Sequence, residues 1–382
     1  MKPENRKRPK RIAHIAGGLT TGGVESMIFN YCNAFKQTTD DYEYVYISYN
    51  PPLPEMQRKF ESIGFSVYSV TKKTDNFFKS CREVNELFKK HDINIVHSHM
   101  TLMCFVTSFI AILCGIKVRI SHAHLALFPK GPKMFVAVLC RFLTKLTSTH
   151  WFACGKAAGI FLYGQAAVKS NRVKIINNAI DPNSYKYNPI ARQVLRDKHS
   201  IGNRLCIGNI GRFTNQKNHS FLVDVFSAFH RNSPESVLLL IGNGPLNDEI
   251  KQKVNTLGLN EHVIFTGSIQ NANEYYSAMD LFLLPSLYEG LALVMVEVQF
   301  AGLPAIVSDT VTSEIDIAGA LKFLPLNESL WINALEVQKD ELERFDVALK
   351  MQEAGYDIFA EATKLNEMYS SALFGGKVVL KR

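Results

Sequence analysis

Short runs of apolar and β-branched residues alternate with longer segments whose apolar positions recur every three to four residues, and the alternation persists along most of the chain. In the first half, the runs at 11–16, 44–48, 66–70, 93–97, 118–122, 150–153 and 173–176 predict strands. The segments 24–35, 77–91, 102–114 and 134–147 predict the helices between them. The second half repeats the theme, with strands at 205–210, 237–241, 263–265, 281–284, 304–307 and 321–323 and helices at 220–231, 246–257, 273–279 and 293–301. Strands alternating with helices of this length imply parallel βαβ units, and so an α/β protein of two Rossmann-like, doubly wound parallel sheets. The polar stretch 183–203 separates the two series and reads as a linker, and a last helical run near 357–373 is expected to cross back to the first half. The expected domains are therefore 1–187, 188–356 and a returning helix within 357–382, with the two sheets facing a central cleft. Ligands of open α/β sheets bind beyond the carboxyl ends of the strands, so function is sought there.

Composition adds a polarity to this picture. The 382 residues carry 43 Lys and Arg against 35 Asp and Glu, a net charge of +8, which favours anionic partners such as a membrane surface or a phosphorylated substrate. Part of the excess lies in Lys2, Arg6, Lys7, Arg8, Lys10 and Arg11. The seven cysteines form no Cys-x-x-Cys pair and no zinc spacing, as expected of reduced thiols in a cytoplasmic protein. The most apolar run, 102–116, is shorter than the about 20 residues that a bilayer span needs and reads as a buried helix.

Four segments could carry chemistry. Gly17-Gly18-Leu19-Thr20-Thr21-Gly22-Gly23-Val24-Glu25 follows the first strand, and its glycines would let backbone N–H groups approach an anion at a helix start. It is neither a dinucleotide fingerprint nor a Walker loop. His97 and His99 end one predicted strand, and His122 and His124 the next; a histidine there can orient a hydroxyl or move a proton, while a zinc site would lack any adjoining carboxylate or cysteine. Gly211-Arg212-Phe213-Thr214-Asn215-Gln216-Lys217 places two cations on a glycine turn, suited to a pyrophosphate if both point inward. The run from Pro285 to Glu297 sets Glu289 in a loop and Glu297 on the helix that follows, with the N–H groups around Gly290, Leu291, Ala292 and Leu293 suited to a phosphate. Glu297 stands among Val294, Met295, Val296 and Val298, and a carboxylate so buried requires a partner; a ribose diol is one candidate.

These residues resemble the retaining glycosyltransferases of family 4, the group 1 transferases of bacterial surface-polysaccharide pathways. The resemblance runs from Gly22-Gly23-Val24-Glu25 through His122, Asn178-Ala179-Ile180-Asp181, Gly211-Arg212, Gln216-Lys217 and Gly242-Asn243-Gly244-Pro245 to Glu289–Glu297 and Ala301-Gly302-Leu303-Pro304. It implies the GT-B fold, with acceptor on the first half and sugar nucleotide on the second. It further implies that Arg212 and Lys217 hold the donor diphosphate beside Gly211, that Gly22 and Gly23 border it, and that Glu297 accepts from the ribose. Glu289 and His122 would contact the transferred sugar. The catalytic set so implied is His122, Glu289, Arg212 and Lys217; no metal and no other cofactor is expected, and the chain holds no Asp-x-Asp. Ala292 and Ala179 depart from residues common in relatives, which bears on the sugar rather than on the reaction.

On the acceptor side, residues 128–147 interleave Lys130, Lys133, Arg141 and Lys145 with apolar residues on a helical period, as an interfacial helix beside anionic lipid would. The expected partners are a sugar nucleotide and a polyprenyl-diphosphate-linked sugar, with peripheral contact to the inner membrane face and no nucleic acid. A non-hydrolysing sugar-nucleotide epimerase and a catalytically inactive sugar-nucleotide-binding protein are the competing readings.

Overall fold

The structure is a computed structural model that describes residues 9–20, 22–38, 41–125, 133–269, 271–289 and 292–374. The chain forms two compact units: one takes the residues up to Ala179 together with those from Asp357 onward, the other Ile180–Tyr356.

Among the described residues the first unit is built on β1 (Lys10–Ala16), β2 (Tyr42–Ser48), β3 (Phe65–Ser69), β4 (Ile95–Ser98), β5 (Val118–Ala123), β6 (His150–Ala153) and β7 (Val173–Ile175). They make one parallel sheet in the order β3-β2-β1-β4-β5-β6-β7. The second unit repeats the plan with β8 (Leu205–Ile210), β9 (Ser236–Ile241), β10 (Val263–Gly267), β11 (Leu281–Leu284), β12 (Ala305–Ser308) and β13 (Leu321–Leu324), in the order β10-β9-β8-β11-β12-β13.

The continuous apolar runs have a simple cause: both faces of each sheet are covered, so successive side chains enter opposite cores. Along β2, Tyr44 and Tyr46 pack into one core while Val45 and Ile47 pack into the other. Along β9, Val237, Leu239 and Ile241 face one core and Leu238 and Leu240 the other. The helix Ile358–Phe374 returns to the first unit, where Ile358, Ala362, Leu365 and Tyr369 join the core that holds Tyr31 and Phe35.

Two expectations change. The stretch 183–203 is not an open linker: it holds the helix Pro189–Lys198, capped by the Asn188 side chain and started by Pro189. Arg192 and Arg196 of that helix both meet Asp280, at 2.6 and 3.2 Å, and so tie it to the second unit. The apolar run after 102 forms the helix Cys104–Leu113, but it is buried on one side only, and Phe109, Ile112 and Leu113 are exposed.

Candidate functional site

In both sheets the strand order reverses at one place, between β1 and β4 in the first unit and between β8 and β11 in the second. Loops diverge there, and the candidate residues gather at these two switch points.

In the second unit, the loop after β8 and the loop after β9 lie backbone against backbone. Gly242, at φ 135°, would set a Cβ 2.0 Å from the Gly211 carbonyl oxygen if it were any other residue. Hydrogen bonds from Gly211 N–H to Ile241 O (2.9 Å) and from Phe213 N–H to Asn243 O (3.1 Å) complete the pairing. The first loop is thereby fixed with Arg212 pointing outward: its side chain is exposed and, among the described residues, carries no ion pair. Lys217 instead lays its methylenes against Gly211 and donates from Nζ to Glu289 Oε1 at 2.6 Å. Ser286 Oγ donates to the same Glu289 oxygen at 2.7 Å, and Gln216 Nε2 to the other at 3.2 Å. Leu287 N–H donates to Gln216 O at 2.8 Å, which locks the loop after β11 to the loop after β8.

Glu297 lies on the helix Leu293–Phe300, which starts at Ala292. Its carboxylate accepts from Tyr276 Oη at 2.5 Å and from Tyr185 Oη at 3.3 Å. Burial pushes this carboxyl up to about 7, against the opposing pull of the two phenols and of nearby Lys217. The partner that a buried carboxylate demands is therefore a pair of tyrosines, neither of which the sequence pattern singled out. Gly290 and Leu291 lie outside the described residues, as do Lys130 and the basic residues before Pro9.

In the first unit, Gly22 closes against Glu25, whose carboxylate folds back onto the backbone N–H groups of Glu25, Thr20 and Gly22; burial raises its pKa and those amides lower it. The Glu25 carboxylate thus occupies amides that the sequence left open for an anion, while Gly23 starts the helix Gly23–Thr38. Beside this loop five histidines from β1, β4, β5 and the residues after them pack together, and His14 on β1 was not among the expected set. Their ring nitrogens pair off in two chains. Cys32 Sγ, His14, His99 and His124 form one, linked at 3.6, 3.1 and 2.9 Å. Tyr369 Oη, His97 and His122 form the other, linked at 2.7 and 3.1 Å. Burial depresses all five imidazoles, His14 and His124 to about 3, so they are neutral at physiological pH. Two overlapping triads, His14 with His97 and His99 and His99 with His122 and His124, bring ring nitrogens within 4.8 Å of one another.

Two doubly wound parallel sheets with polar loops at their switch points are shared by many ligand-binding proteins, and comparison with known proteins narrows the reading. The sequence matches the family model of the group 1 glycosyl transferases over residues 204–335 and that of glycosyltransferase family 4 over residues 21–184. EpsF of Bacillus subtilis (strain 168), named as a glycosyltransferase, is 31% identical over 338 residues, covering 85% of this chain and 87% of its own. The chain belongs to the group 1 glycosyltransferases. An Escherichia coli UDP-Gal:alpha-D-GlcNAc-diphosphoundecaprenol alpha-1,3-galactosyltransferase is 25% identical over 240 residues, 60% of this chain and 62% of its own. Among solved structures, Anabaena Alr3699/HepE in complex with UDP superposes with a TM-score of 0.77 at 17% identity, over 95% of this chain and 100% of that one. The fold is thus GT-B, and the chain is a group 1 glycosyltransferase.

Proposed function

We propose that this group 1 glycosyltransferase moves a hexose or N-acetylhexosamine from a nucleotide-diphosphate sugar to a lipid-linked surface-polysaccharide acceptor, with retention of configuration and without a metal. The observation that carries the reading is the joined pair of loops after β8 and β11, in which Lys217 and Glu289 are fixed together and Arg212 carries no ion pair among the described residues. Arg212 and Lys217 supply positive charge for a departing diphosphate, with Lys217 held in place by Glu289. Glu289, held by Lys217, Ser286 and Gln216, keeps its remaining lone pairs for sugar hydroxyls. Glu297 accepts from the ribose, and Gly211 borders the diphosphate. His122 touches the transferred sugar. Solved relatives hold UDP or UDP-glucose, and one sequence relative is named for a diphosphoundecaprenol-linked acceptor.

The acceptor face is proposed to rest against anionic lipid. No helix among the described residues is long and apolar enough to cross a membrane. The helix Lys133–Thr147 instead exposes Phe135, Val138, Leu139, Phe142 and Leu146 along one side, with Arg141 and Lys145 on the same helix.

A thermal-shift panel of UDP- and GDP-sugars tests the donor reading, since a ligand that binds the folded state raises its melting temperature. A UDP-sugar is expected to raise Tm, and transfer to a diphospholipid-linked sugar is expected to fall at least about a hundredfold in Glu289→Gln. A change of the sugar with no acceptor present would mark an epimerase and overturn the proposal.

A further inference from the structure

His122 Nε2 is buried and has no hydrogen-bond partner among the described residues. It is the open end of the chain that begins at Tyr369 Oη and passes through His97. A neutral imidazole has one protonated nitrogen and one bare one, so fixing either end of such a chain fixes every ring in it.

The phenol fixes it. Tyr369 lies on the returning helix Ile358–Phe374, fully buried between Phe35 and Tyr42, and among the described residues its hydroxyl has His97 Nδ1 as its hydrogen-bond partner. If the phenol donates, His97 carries its proton on Nε2 and donates to His122 Nδ1, and His122 then presents Nε2–H. A single donor is left over, at the open end. If the protons run the other way, the phenol proton and the His122 Nε2 lone pair are both stranded. Each buried group left unpaired costs about 1–3 kcal/mol, so the first direction wins. Burial keeps the phenol protonated and both imidazoles neutral, so no competing charged form intrudes. The rings are also held in plane: His97 and His122 stack at 10°, and Phe152 sets its edge against both, at 83° and 88°.

We infer that Tyr369 and His97 are positioning residues that lock His122 as a neutral Nε2–H donor, the form that can give a hydrogen bond to an oxygen of the transferred sugar. The inference rests on the proposed contact of His122 with that sugar; the lock itself is independent of it. A helix from the far end of the chain thus sets the proton on a strand-end histidine through two hydrogen bonds.

Nitrogen-15 NMR of the histidine-labelled full chain tests the lock without any variant, because protonated and bare ring nitrogens resonate in separate ranges. The expected spectrum has Nε2–H at both His97 and His122, and Tyr369→Phe is expected to mix the two tautomers at His97. Nδ1–H at His122 in the wild type overturns the inference, as does a tightly bound transition metal in the purified protein, which would take the ring nitrogens for itself. With UDP-glucose and UDP as calorimetric probes, Tyr369→Phe is expected to weaken UDP-glucose about five- to tenfold and leave UDP unchanged, the size of one lost hydrogen bond. Tyr42→Phe is the control: its hydroxyl bonds Asn366 and Ser370 on the same helix, so it perturbs the packing and leaves the chain intact. Equal losses in the two variants overturn the lock. If His122→Ala leaves UDP-glucose binding untouched, the sugar contact fails, and the wild-type spectrum still decides the tautomer.

Discussion

Glu297 shows how much a single side chain can reveal about its surroundings. Four apolar neighbours in sequence implied that it is buried and therefore partnered, and the structure supplies Tyr276 and Tyr185. Those partners were illegible because they stand 21 and 112 residues away, and a tyrosine in sequence carries no mark of what its hydroxyl will meet. The consequence is a pH dependence of known sign. With its carboxyl raised to about 7, folded Glu297 holds a proton that the unfolded chain releases near the ordinary value of about 4.3. Its contribution to stability is complete below that lower value, declines as pH rises through the window, and is flat above 7. Glu297→Gln stays neutral throughout. Unfolding free energies of wild type minus variant should therefore fall by on the order of 3 kcal/mol between pH 4.3 and 7, measured by urea denaturation. Nucleotide affinity should move the other way, tightening as the wild-type carboxylate ionises and staying level in the variant.

Elements were read well where two buried faces left an unbroken apolar run. The strands at 150–153, 205–210 and 281–284 fall as His150–Ala153, Leu205–Ile210 and Leu281–Leu284. The helix Pro189–Lys198 was missed because it is short and polar, and what holds it, two arginines on Asp280, lies far away in sequence. Likewise the cations of the loop after β8 were legible, yet their division of labour was not. Among the described residues Lys217 is committed to Glu289 while Arg212 carries no ion pair, a division set by a partner 72 residues away in sequence. The joined loops also make a prediction. Gly242→Ala drives a methyl into the Gly211 carbonyl and should cost about 2–4 kcal/mol, with weaker UDP binding. Gly258→Ala has a positive φ of 69° but meets nothing within 4 Å, so it should cost only about 1 kcal/mol and leave UDP binding alone. Denaturation curves and calorimetry on the two variants separate collision from backbone strain.

For the molecule as a whole, the surface of the first unit is the feature that composition alone understated. Phe135 is 75% exposed, Leu146 70% and Leu113 67%, on two helices that pack side by side. Large apolar side chains so exposed on neighbouring helices are what an interaction surface requires. The sequence showed the helix Lys133–Thr147 as amphipathic and basic, but not that Cys104–Leu113 adds Phe109, Ile112 and Leu113 to the same neighbourhood. Flotation with liposomes containing anionic lipid should carry the protein upward at low salt. Leu139→Asp with Phe142→Asp should abolish flotation while leaving Tm within a few degrees, because both side chains are already exposed. Binding that survives the double change, or no binding by the wild type, would sink the lipid-facing proposal.

The return of Ile358–Phe374 also sets an order of assembly. The second unit is one uninterrupted stretch of chain, whereas the first is interrupted by it and closes with that helix. A ribosome therefore delivers all of the second unit while Tyr31 and Phe35 still lack the covering that Tyr369 brings. The half made first is the half finished last. The phenol that sets the proton on His122 arrives only with that closing helix, so chains cut short of it would be unfinished in their chemistry as well as in their core.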